Sequence, residues 1–470
     1  MSRLDRLRGY YVRSPRWVQS SAGRLLAFAP PRVLYGGTFW RWRADIERGE
    51  RDGPFVGQRL VAGMAAVLAA ARGTPYYSAI FDRRDTVLPT LEGLQTLPVL
   101  TKDDVRQRVE EMLAAPKGEM DEVTTGGTSS MVPLTFYLDR DRSVKEWAFL
   151  THIWGRVGYK PGDRLAVLGY RGVTHLPNAA SRPWAWEPGT RELRLSPFRM
   201  VPQVMDEYLQ LLGRYRVAYL YGYPSAVSLL AAHARNTGWC PPRTFRGILL
   251  MSEAVRPFQR EVMAEGFGGL PILAGYGLSE KVAIAGEVRG KPDEYEFEPL
   301  YGYAELVDDA GDVITAGGQR GRLIGTGLLS LGMPMIRYDT GDLATLVRLP
   351  SAENKWRLRV RDITSRHCQD YLVTSEGGLI AQMVVYPHNR AVRECQFVQE
   401  EPGRTVMKLV PEAHASQADL EEVLRVANAR ADGLLKVELE IVEEIPGTAR
   451  GKKLPVVQRL DLSGFGLDVD

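Results

Sequence analysis

The chain has 470 residues, of which 44% are hydrophobic and 25% are charged. This is ordinary globular usage, and at roughly 100–200 residues per domain it predicts several domains with a substantial core. Disorder, collagen and coiled coil are excluded as the main state. The 60 basic and 57 acidic residues give a net charge of +3, which calls for no nucleic-acid partner.

The cysteines and the N-terminus bear on the compartment. Cys240, Cys368 and Cys395 fit neither a disulfide framework nor zinc-ligand spacing, which indicates a reducing environment. The N-terminus lacks the apolar stretch of a signal peptide, and apolar runs such as residues 61–71 are too short to span a bilayer. We therefore expect a cytoplasmic protein without a transmembrane segment. The aromatic residues among the arginines of residues 1–52 are expected to pack in a core, with contact to an anionic membrane surface as the alternative.

The first predicted elements are helices. Residues 54–115 have apolar side chains at helical spacing, interrupted at Gly73-Thr74-Pro75. Thr101 is the predicted N-cap of a helix whose first turn contains Asp103 and Asp104, which complement the helix dipole.

From about residue 120 to 345, short apolar strands alternate with amphipathic helices, which predicts an α/β fold with a largely parallel sheet. The predicted strands are 164–169, 217–221, 247–251 and 271–274, and the predicted helices are 202–215, 225–235 and 257–267. After about residue 300 the pattern favours antiparallel strands. The last hundred residues predict a small α+β unit with a helix over 417–431.

Four motifs could form a ligand site, because ligands of such sheets bind at the carboxyl ends of strands. Residues 124–130 (TTGGTSS) can present backbone N–H groups and hydroxyls to phosphates, or form a solvated turn. Residues 276–280 (YGLSE) could stack a base on Tyr276 and hold Mg²⁺ on Glu280, or be a strand end with a surface glutamate. Residues 337–342 (RYDTGD) suit a ribose diol at a turn, or are only a turn. Residues 445–453 (IPGTARGKK) could bring a lysine to a phosphate, or be a solvated basic loop.

The order of these motifs resembles that of the adenylate-forming enzymes, which include acyl-CoA synthetases. The resemblance covers roughly residues 90–460 and is nearest to the phenylacetate–CoA ligase and CapK branch. The supporting segments are TPYYSAIF, LPVLTKDDVR, TGGTSS with PLTFYLD, LYGYPSAV, MSEAVRPFQREVM and CQFVQEEPGRTVMKLV.

The resemblance implies a large N-terminal domain of mixed sheets and helices over residues 1–365, with residues 1–115 mostly helical and specific to the branch. It also implies a small mobile α+β domain over residues 366–470. The large domain would bind ATP, Mg²⁺ and a small carboxylic acid. The acceptor would be a thiol, an amine or a hydroxyl; coenzyme A and a homodimer are left open.

The roles that the resemblance implies are as follows. Thr125, Gly126, Gly127, Thr128, Ser129 and Ser130 would wrap the β- and γ-phosphates. Ser252, Glu253, Ala254, Gly275, Tyr276 and Gly277 would line the adenine pocket. Ser279 would contact the α-phosphate, Glu280 would bind Mg²⁺, Asp342 and Arg366 would hold the ribose, and Lys452 would bridge phosphate and carboxylate.

The chain also departs from the family pattern. Its phosphate loop runs Ser130-Met131-Val132-Pro133, one residue longer than usual and without a lysine. Ser365 replaces the glycine before Arg366, and the hinge for domain rotation is either Gln369 or Asp370.

The expected reaction is the attack of a carboxylate on the α-phosphate of ATP, which gives an acyl-adenylate and pyrophosphate. Transfer to coenzyme A would follow, with Lys452 carried away by domain rotation. The alternatives are amide or ester formation or carrier loading in surface-polysaccharide or secondary-metabolite biosynthesis, a catalytically weak nucleotide-binding relative, and a scaffold with the fold alone. Candidate residues for the acid pocket are Trp147, Leu150, Tyr170, His175, Tyr221, Tyr223 and Met251.

Overall fold

The computed structural model describes residues 30–82, 90–124, 134–169, 183–197, 200–365, 371–381, 385, 391–431, 433–445 and 456–460. The α-helices are α1 (Pro31–Gly49), α2 (Gly53–Arg72), α3 (Pro75–Phe81), α4 (Leu91–Gln95), α5 (Lys102–Arg108), α6 (Arg142–Trp154), α7 (Pro202–Arg214), α8 (Pro224–Thr237), α9 (Pro257–Gly266) and α10 (Gln417–Ala431). Short 3₁₀ helices cover Val109–Met112, Lys117–Glu119 and Gly155–Val157.

The strands up to the middle of the chain are β1 (Met120–Thr124), β2 (Thr135–Asp139), β3 (Leu165–Leu168), β4 (Trp184–Glu187), β5 (Glu192–Leu195), β6 (Tyr219–Gly222), β7 (Gly247–Leu250), β8 (Ile272–Gly277), β9 (Ile284–Val288) and β10 (Lys291–Phe297). Those that follow are β11 (Gly302–Val307), β12 (Arg320–Gly327), β13 (Tyr338–Arg348), β14 (Arg359–Ser365), β15 (Tyr371–Val373), β16 (Leu379–Ala381), β17 (Val392–Glu401), β18 (Arg404–Pro411), β19 (Lys436–Ile441) and β20 (Val456–Gln458).

A long mixed sheet dominates the described chain, in the order β11-β12-β13-β14-β10-β9-β8-β7-β6-β3-β5-β4. Strands β5, β3, β6, β7 and β8 are parallel, whereas β8 to β14 pair antiparallel. The predicted α/β fold is therefore confirmed, and so is the change to antiparallel pairing. Strand β8 runs to Gly277, past the predicted end at Ala274, because residues 275–277 pair with β9.

The N-terminal helices pack on this sheet. The Thr101 hydroxyl accepts from Asp104 N–H, and the Asp104 side chain accepts from Thr101 N–H, so the predicted N-cap is a full capping box. Helix α2 has 20 residues and passes a test of length and composition for a membrane-spanning helix. One third of its most apolar stretch is buried inside the protein. The sequence-based expectation that no segment is long enough to span a bilayer was drawn from the apolar run at residues 61–71, which is shorter than helix α2. Its buried face belongs to the main core, through Val56, Leu60, Met64, Val67 and Leu68.

A cluster of ion pairs joins the helical region to the sheet. The Arg357 guanidinium donates to both carboxylate oxygens of Glu50, just after α1, at 2.9 and 2.7 Å. Arg357 also donates to Glu298 at 3.0 Å, and Glu298 accepts from Arg156 at 2.8 Å. Burial opposes ionisation of Glu50, but hydrogen bonds from His152 and Arg357 hold its pKa well below the usual range. The charges compensate one another within the interface.

The C-terminal residues form a second packing unit. Strands β19, β18, β17 and β20 make a four-stranded sheet in that order, with α10 beside it. Their side chains form a separate core that includes Leu372, Phe397, Leu409 and Val423. Strand β14 ends at Ser365 in the large sheet. The boundary at residue 365/366 stays a prediction.

Candidate functional site

Two of the predicted motifs meet beside the end of β8. Tyr276 and Gly277 are its last two residues, and Ser279 and Glu280 lie in the turn that follows. The Tyr276 hydroxyl donates to Asp342 Oδ2 at 2.7 Å. The Tyr338 hydroxyl donates to Glu280 Oε1 at 2.6 Å. The fold therefore joins the two motifs by two hydrogen bonds and brings the proposed base-stacking, metal and ribose residues close together.

Residues 338–342 of the third motif are part of strand β13 and not a turn, and Arg337 lies in a bend directly before the strand. The strand pairs with both β12 and β14, and its register with β12 shifts near Asp339. Gly341 has φ +80°, a left-handed conformation that suits an L residue poorly. Asp339 Oδ1 accepts from Gly341 N–H, and the Thr340 hydroxyl accepts from Asp342 N–H. The prediction of a turn is therefore wrong, because hydrogen bonding to β12 and β14 makes this segment a strand. The strand bulges at Gly341, and the bulge orients Asp342.

The segment before α5 supports this bulged strand. Leu100 N–H donates to Arg337 C=O, and Asp339 N–H donates to Leu100 C=O, both at 2.9 Å. The Arg337 guanidinium donates to Glu305 at 2.7 Å and to the carbonyls of Gln95 and Leu97. The side chains of Arg337 and Glu305 are 4% and 3% exposed. Arg337 is therefore an internal clamp on the site, and the LPVL segment is part of the site's support.

Asp342 lies in an acidic and enclosed environment. Burial raises its pKa to about 6; the Tyr276 hydrogen bond and the Lys102 charge oppose the rise, while Glu280 and Asp339 add to it. Lys102 comes so near that a Cβ on Gly341 would lie 3.3 Å from Lys102 Nζ. Lys102 lies in the LPVLTKDDVR segment, but no sequence motif marked it as a site residue. A cation beside Asp342 suits a site for a negatively charged nucleotide.

Glu280 is 6% exposed, and its Oε1 accepts from Tyr338. No group of three or more His, Cys, Asp or Glu suited to a metal occurs in the described ranges. A single carboxylate nevertheless fits Mg²⁺, which commonly takes one or two carboxylates and completes its shell with phosphate oxygens and water.

Residues 252–254 follow β7 in an irregular turn. Ser252 is exposed and has φ +74°, and Ala254 is exposed. The carboxylate of Glu253 accepts from Ser225 N–H and from the Ser225 hydroxyl, both at 2.9 Å, at the start of α8. Burial raises the pKa of Glu253 to about 7 despite these hydrogen bonds. Its carboxylate is thus engaged with α8, which leaves Ser252, Ala254 and the backbone as candidate contacts for adenine.

The described candidates for the acid pocket form an aromatic series. The rings of Trp147 and Trp154 lie 5.2 Å apart, and those of Trp154 and Tyr221 lie 5.0 Å apart. The Tyr221 hydroxyl contacts Met251 Sδ at 3.8 Å. Met251 Cε in turn lies 3.0 Å from where a Cβ on Gly275 would stand, so this glycine admits the methionine side chain. Leu150 is buried in the main core, and the Tyr223 ring lies beside Gly169.

Several of the residues predicted from the sequence to form the site lie outside the described part of the chain. They are Thr125, Gly126, Gly127, Thr128, Ser129, Ser130, Tyr170, His175, Arg366, Gln369, Asp370 and Lys452. Their proposed roles stay predictions from the sequence.

Residues 372–459 match a family described as CapK C-terminal domain. Protein CapK of Staphylococcus aureus is 24% identical over 392 residues, which cover 81% of this chain and 84% of that protein. Phenylacetate-coenzyme A ligase of Aromatoleum evansii is 25% identical over 313 residues, which cover 64% and 68% of the two chains.

The solved structures that resemble the chain include two of 2-hydroxyisobutyryl-CoA ligase. Its open conformation with 2-HIB-AMP and CoA has a TM-score of 0.53 and 19% identity, covering 87% of this chain and 92% of that one. Its thioesterification state with the same ligands has a TM-score of 0.53 and 18% identity, covering 86% and 90%. At such low identity these likenesses show the fold.

Proposed function

We propose that the chain, which is similar to Protein CapK and to a phenylacetate-coenzyme A ligase, is an adenylate-forming enzyme of that branch and activates a small carboxylic acid with ATP. The product of the first step is an acyl-adenylate, with pyrophosphate released. The acyl group then passes to an acceptor, with coenzyme A as the first candidate.

The contact of the two motifs at the end of β8 carries this proposal. Glu280 with Tyr338, and Tyr276 with Asp342, form one group although the motifs are far apart in the chain. Lys102 adds a positive charge close to Gly341. A carboxylate suited to a hard cation, a carboxylate suited to a diol and an aromatic ring are the chemical features that a nucleotide triphosphate would use.

In this proposal each residue has a distinct task. Asp342 accepts from the ribose hydroxyls, and Tyr276 presents a ring edged by Phe297, whose centroid lies 5.7 Å away. Ser279, half-buried in the turn, donates to the α-phosphate. Glu280 would hold Mg²⁺, which supplies charge stabilisation to the phosphate oxygens when bound. Lys452 would bridge the phosphate and the carboxylate. These interactions position reactants and stabilise developing charge, which is the main requirement of chemistry at phosphate.

A second candidate differs only in the acceptor. The CapK relative aligns with more of the chain than the phenylacetate-coenzyme A ligase does, and the C-terminal family match is also to CapK. The name of that relative does not include coenzyme A, so an amine or hydroxyl acceptor, which would give an amide or an ester, is kept as the second candidate. The adenylation step is common to both candidates.

The test is acid-dependent exchange of labelled pyrophosphate into ATP, measured with a panel of aromatic and short aliphatic acids. We expect exchange with at least one acid, since adenylation is reversible while pyrophosphate is present. The active acid is then incubated with ATP and either coenzyme A or candidate amines and alcohols, and the product is identified by mass. Nucleotide binding without exchange for any acid would instead indicate a catalytically weak relative.

A further inference from the structure

A partly buried ion pair lies next to Glu280, and the roles proposed for the site residues do not explain it. Lys281 Nζ donates to Glu146 Oε1 at 2.6 Å, with the two side chains 17% and 12% exposed. The Tyr301 hydroxyl also donates to Glu146 Oε1, at 3.4 Å. The pair connects helix α6 to the turn that presents Glu280, across 135 residues of sequence.

The backbone at Lys281 needs external support. Its φ is +60°, a left-handed conformation that is unfavourable for a residue with a long side chain. Such conformations persist where the surroundings determine them, and they concentrate at functional sites. Lys281 N–H donates to Leu278 C=O at 3.3 Å, which closes the turn around Ser279 and Glu280. The side-chain contact to Glu146 holds the far side of the same turn.

Strands β11 and β12 pack closely against the segment that follows Glu280. A Cβ on Gly302 of β11 would lie 2.0 Å from Val282 C=O, and one on Gly325 of β12 would lie 2.7 Å from Val282 Cγ2. Any side chain larger than that of glycine would clash at these two positions, because the segment after Glu280 lies directly on strands β11 and β12. The segment is fixed from below by close packing and from the side by the Glu146 ion pair.

Helix α6 is itself firmly placed. Arg142 donates to Asp121 at 2.5 Å and to Asp139 C=O at 2.9 Å, which ties the helix to β1 and β2. Lys145 donates to Leu329 C=O at 2.9 Å. Strands β1 and β2 precede and follow the stretch that contains residues 125–130, to which the family resemblance assigns the phosphates. The helix thus connects the two segments that would contact the same polyphosphate.

From this geometry we infer that Glu146 is a positioning residue: through Lys281 it orients Glu280 for the divalent cation that accompanies the nucleotide. The inference rests on the proposed function. Glu146 touches neither the nucleotide nor the metal, so its loss weakens the response to the metal and not nucleotide binding itself. Outer groups that orient metal ligands commonly affect metal affinity or activity by about 10–100-fold.

The experiment compares Glu146→Gln, Lys281→Gln and the double variant with the wild type. The control is Asp141→Asn, which removes the carboxylate of the Lys145–Asp141 pair on the N-terminal side of the same helix. Calorimetry measures the affinity for α,β-methylene-ATP, which cannot form the adenylate, with Mn²⁺ and without metal. Pyrophosphate exchange then gives the half-saturating Mg²⁺ concentration.

We expect Glu146→Gln and Lys281→Gln each to raise the half-saturating metal concentration about 10–100-fold and to reduce the gain in nucleotide affinity that Mn²⁺ provides. Metal-free nucleotide affinity stays at the wild-type value, and the double variant is no worse than either single one. Asp141→Asn behaves as the wild type. If Glu146→Gln does not fold, Glu146→Asp, which keeps the charge on a shorter side chain, should show a smaller shift of the same kind.

An equal loss of affinity with and without metal would overturn the positioning role, as would an unchanged metal response in the folded variants. A wild-type chain that binds no nucleotide at all would instead refute the proposed function and, with it, this inference.

Discussion

The Tyr276 hydroxyl donates a 2.7 Å hydrogen bond to Oδ2 of Asp342 and so joins two motifs that lie 66 residues apart. Burial of this tyrosine, with the neighbouring Asp342 carboxylate, raises the pKa of Tyr276 well above its ordinary value. The phenol therefore stays a donor at neutral pH. Asp342 keeps its orientation through a neutral partner, which leaves the carboxylate charge available for a ligand.

We expect Asp342→Ala to raise the KM for ATP about 10–100-fold, because a hydrogen bond to a charged group contributes about 1.5–3 kcal/mol. The effect on kcat should be smaller, since a ribose contact exists in the ground state and the transition state alike. Tyr276→Phe, which removes only the hydroxyl that orients Asp342, should raise the KM less. Steady-state kinetics of pyrophosphate exchange measure both. An unchanged KM for ATP in Asp342→Ala would rule out the ribose role.

Glu280→Gln should lower kcat for adenylation about 10²–10³-fold while the protein stays folded. The amide preserves size and can still accept from Tyr338, but it lacks the charge that a hard cation prefers. Pyrophosphate exchange across a range of Mg²⁺ concentrations is the measurement. Tyr338→Phe is a useful companion, because it removes the hydrogen bond and keeps the carboxylate. Near-normal exchange by Glu280→Gln at low Mg²⁺ would show the metal assignment to be wrong.

Lys452→Ala should reduce adenylation about 10²–10³-fold and spare the second half-reaction. Lys452 lies outside the described residues, so this prediction comes from the sequence alone. The variant, given preformed acyl-adenylate and the acceptor, should still make product, and Lys453→Ala should be mild in both assays. Equal loss of both half-reactions, or a larger loss in Lys453→Ala, would contradict the assignment. Melting temperatures must first show that the variants fold.

Arg337→Met should destabilise the protein by about 3–5 kcal/mol, since it leaves the Glu305 charge buried without its partner. Adding Glu305→Leu should recover part of the loss. The control is Arg59→Met. Arg59 pairs with Asp45 at the surface, where the two side chains are 42% and 36% exposed, and such a pair should contribute about 0.2–1 kcal/mol to stability. Urea unfolding followed by fluorescence measures the three variants. Similar losses for Arg337→Met and Arg59→Met would show that the clamp is not a stabilising feature.

Glu253 should make stability depend on pH. Its pKa is raised from 4.5 to about 7, so the folded state holds the proton more tightly than the unfolded state does. The protonated Glu253 therefore stabilises the folded state fully below about pH 4.5, and this stabilisation is lost as the pH rises through about 7. For a pKa shift of that size the stabilisation is on the order of 3 kcal/mol. Asp342, whose pKa is also raised, acts in the same direction, and Glu50, whose pKa is lowered, acts in the opposite one at lower pH.

Melting temperatures from pH 5 to 8 should therefore fall less steeply in Glu253→Gln than in the wild type. Glu261→Gln, on the exposed face of α9, is the matched control. Parallel profiles for the wild type and Glu253→Gln would remove Glu253 as a cause.

Local sequence predicted the elements well where one signal acted alone. The Thr101 capping box and the helix over 417–431 are both found, because caps and helical spacing depend on near neighbours. Residues 339–342 have turn chemistry, yet pairing with β12 and β14 outweighs it and makes a bulged strand. Local preference was overridden there by tertiary pairing.

Contacts between distant segments were beyond the sequence. The approach of Lys102 to Gly341 and the Glu146–Lys281 pair join residues that no local pattern relates. The motifs themselves suggested a base contact for Tyr276, a cation for Glu280 and a ribose site in residues 337–342, and the family resemblance then chose these roles over the alternatives. Arg337 belongs to the third motif and Lys281 directly follows the second, but the partners of both side chains depend on how the sheet and helices pack.

The Glu50–Arg357–Glu298 cluster has a consequence for how the chain can be divided. A fragment that starts after residue 52 would lack Glu50, whose carboxylate accepts hydrogen bonds from both terminal nitrogens of Arg357. The positive charge of Arg357 would then be less fully compensated where it lies against the sheet. Since Glu298 also binds Arg156, the imbalance would spread to the end of α6. We therefore expect the loss of residues 1–52 to destabilise the sheet around Glu298 and Arg357.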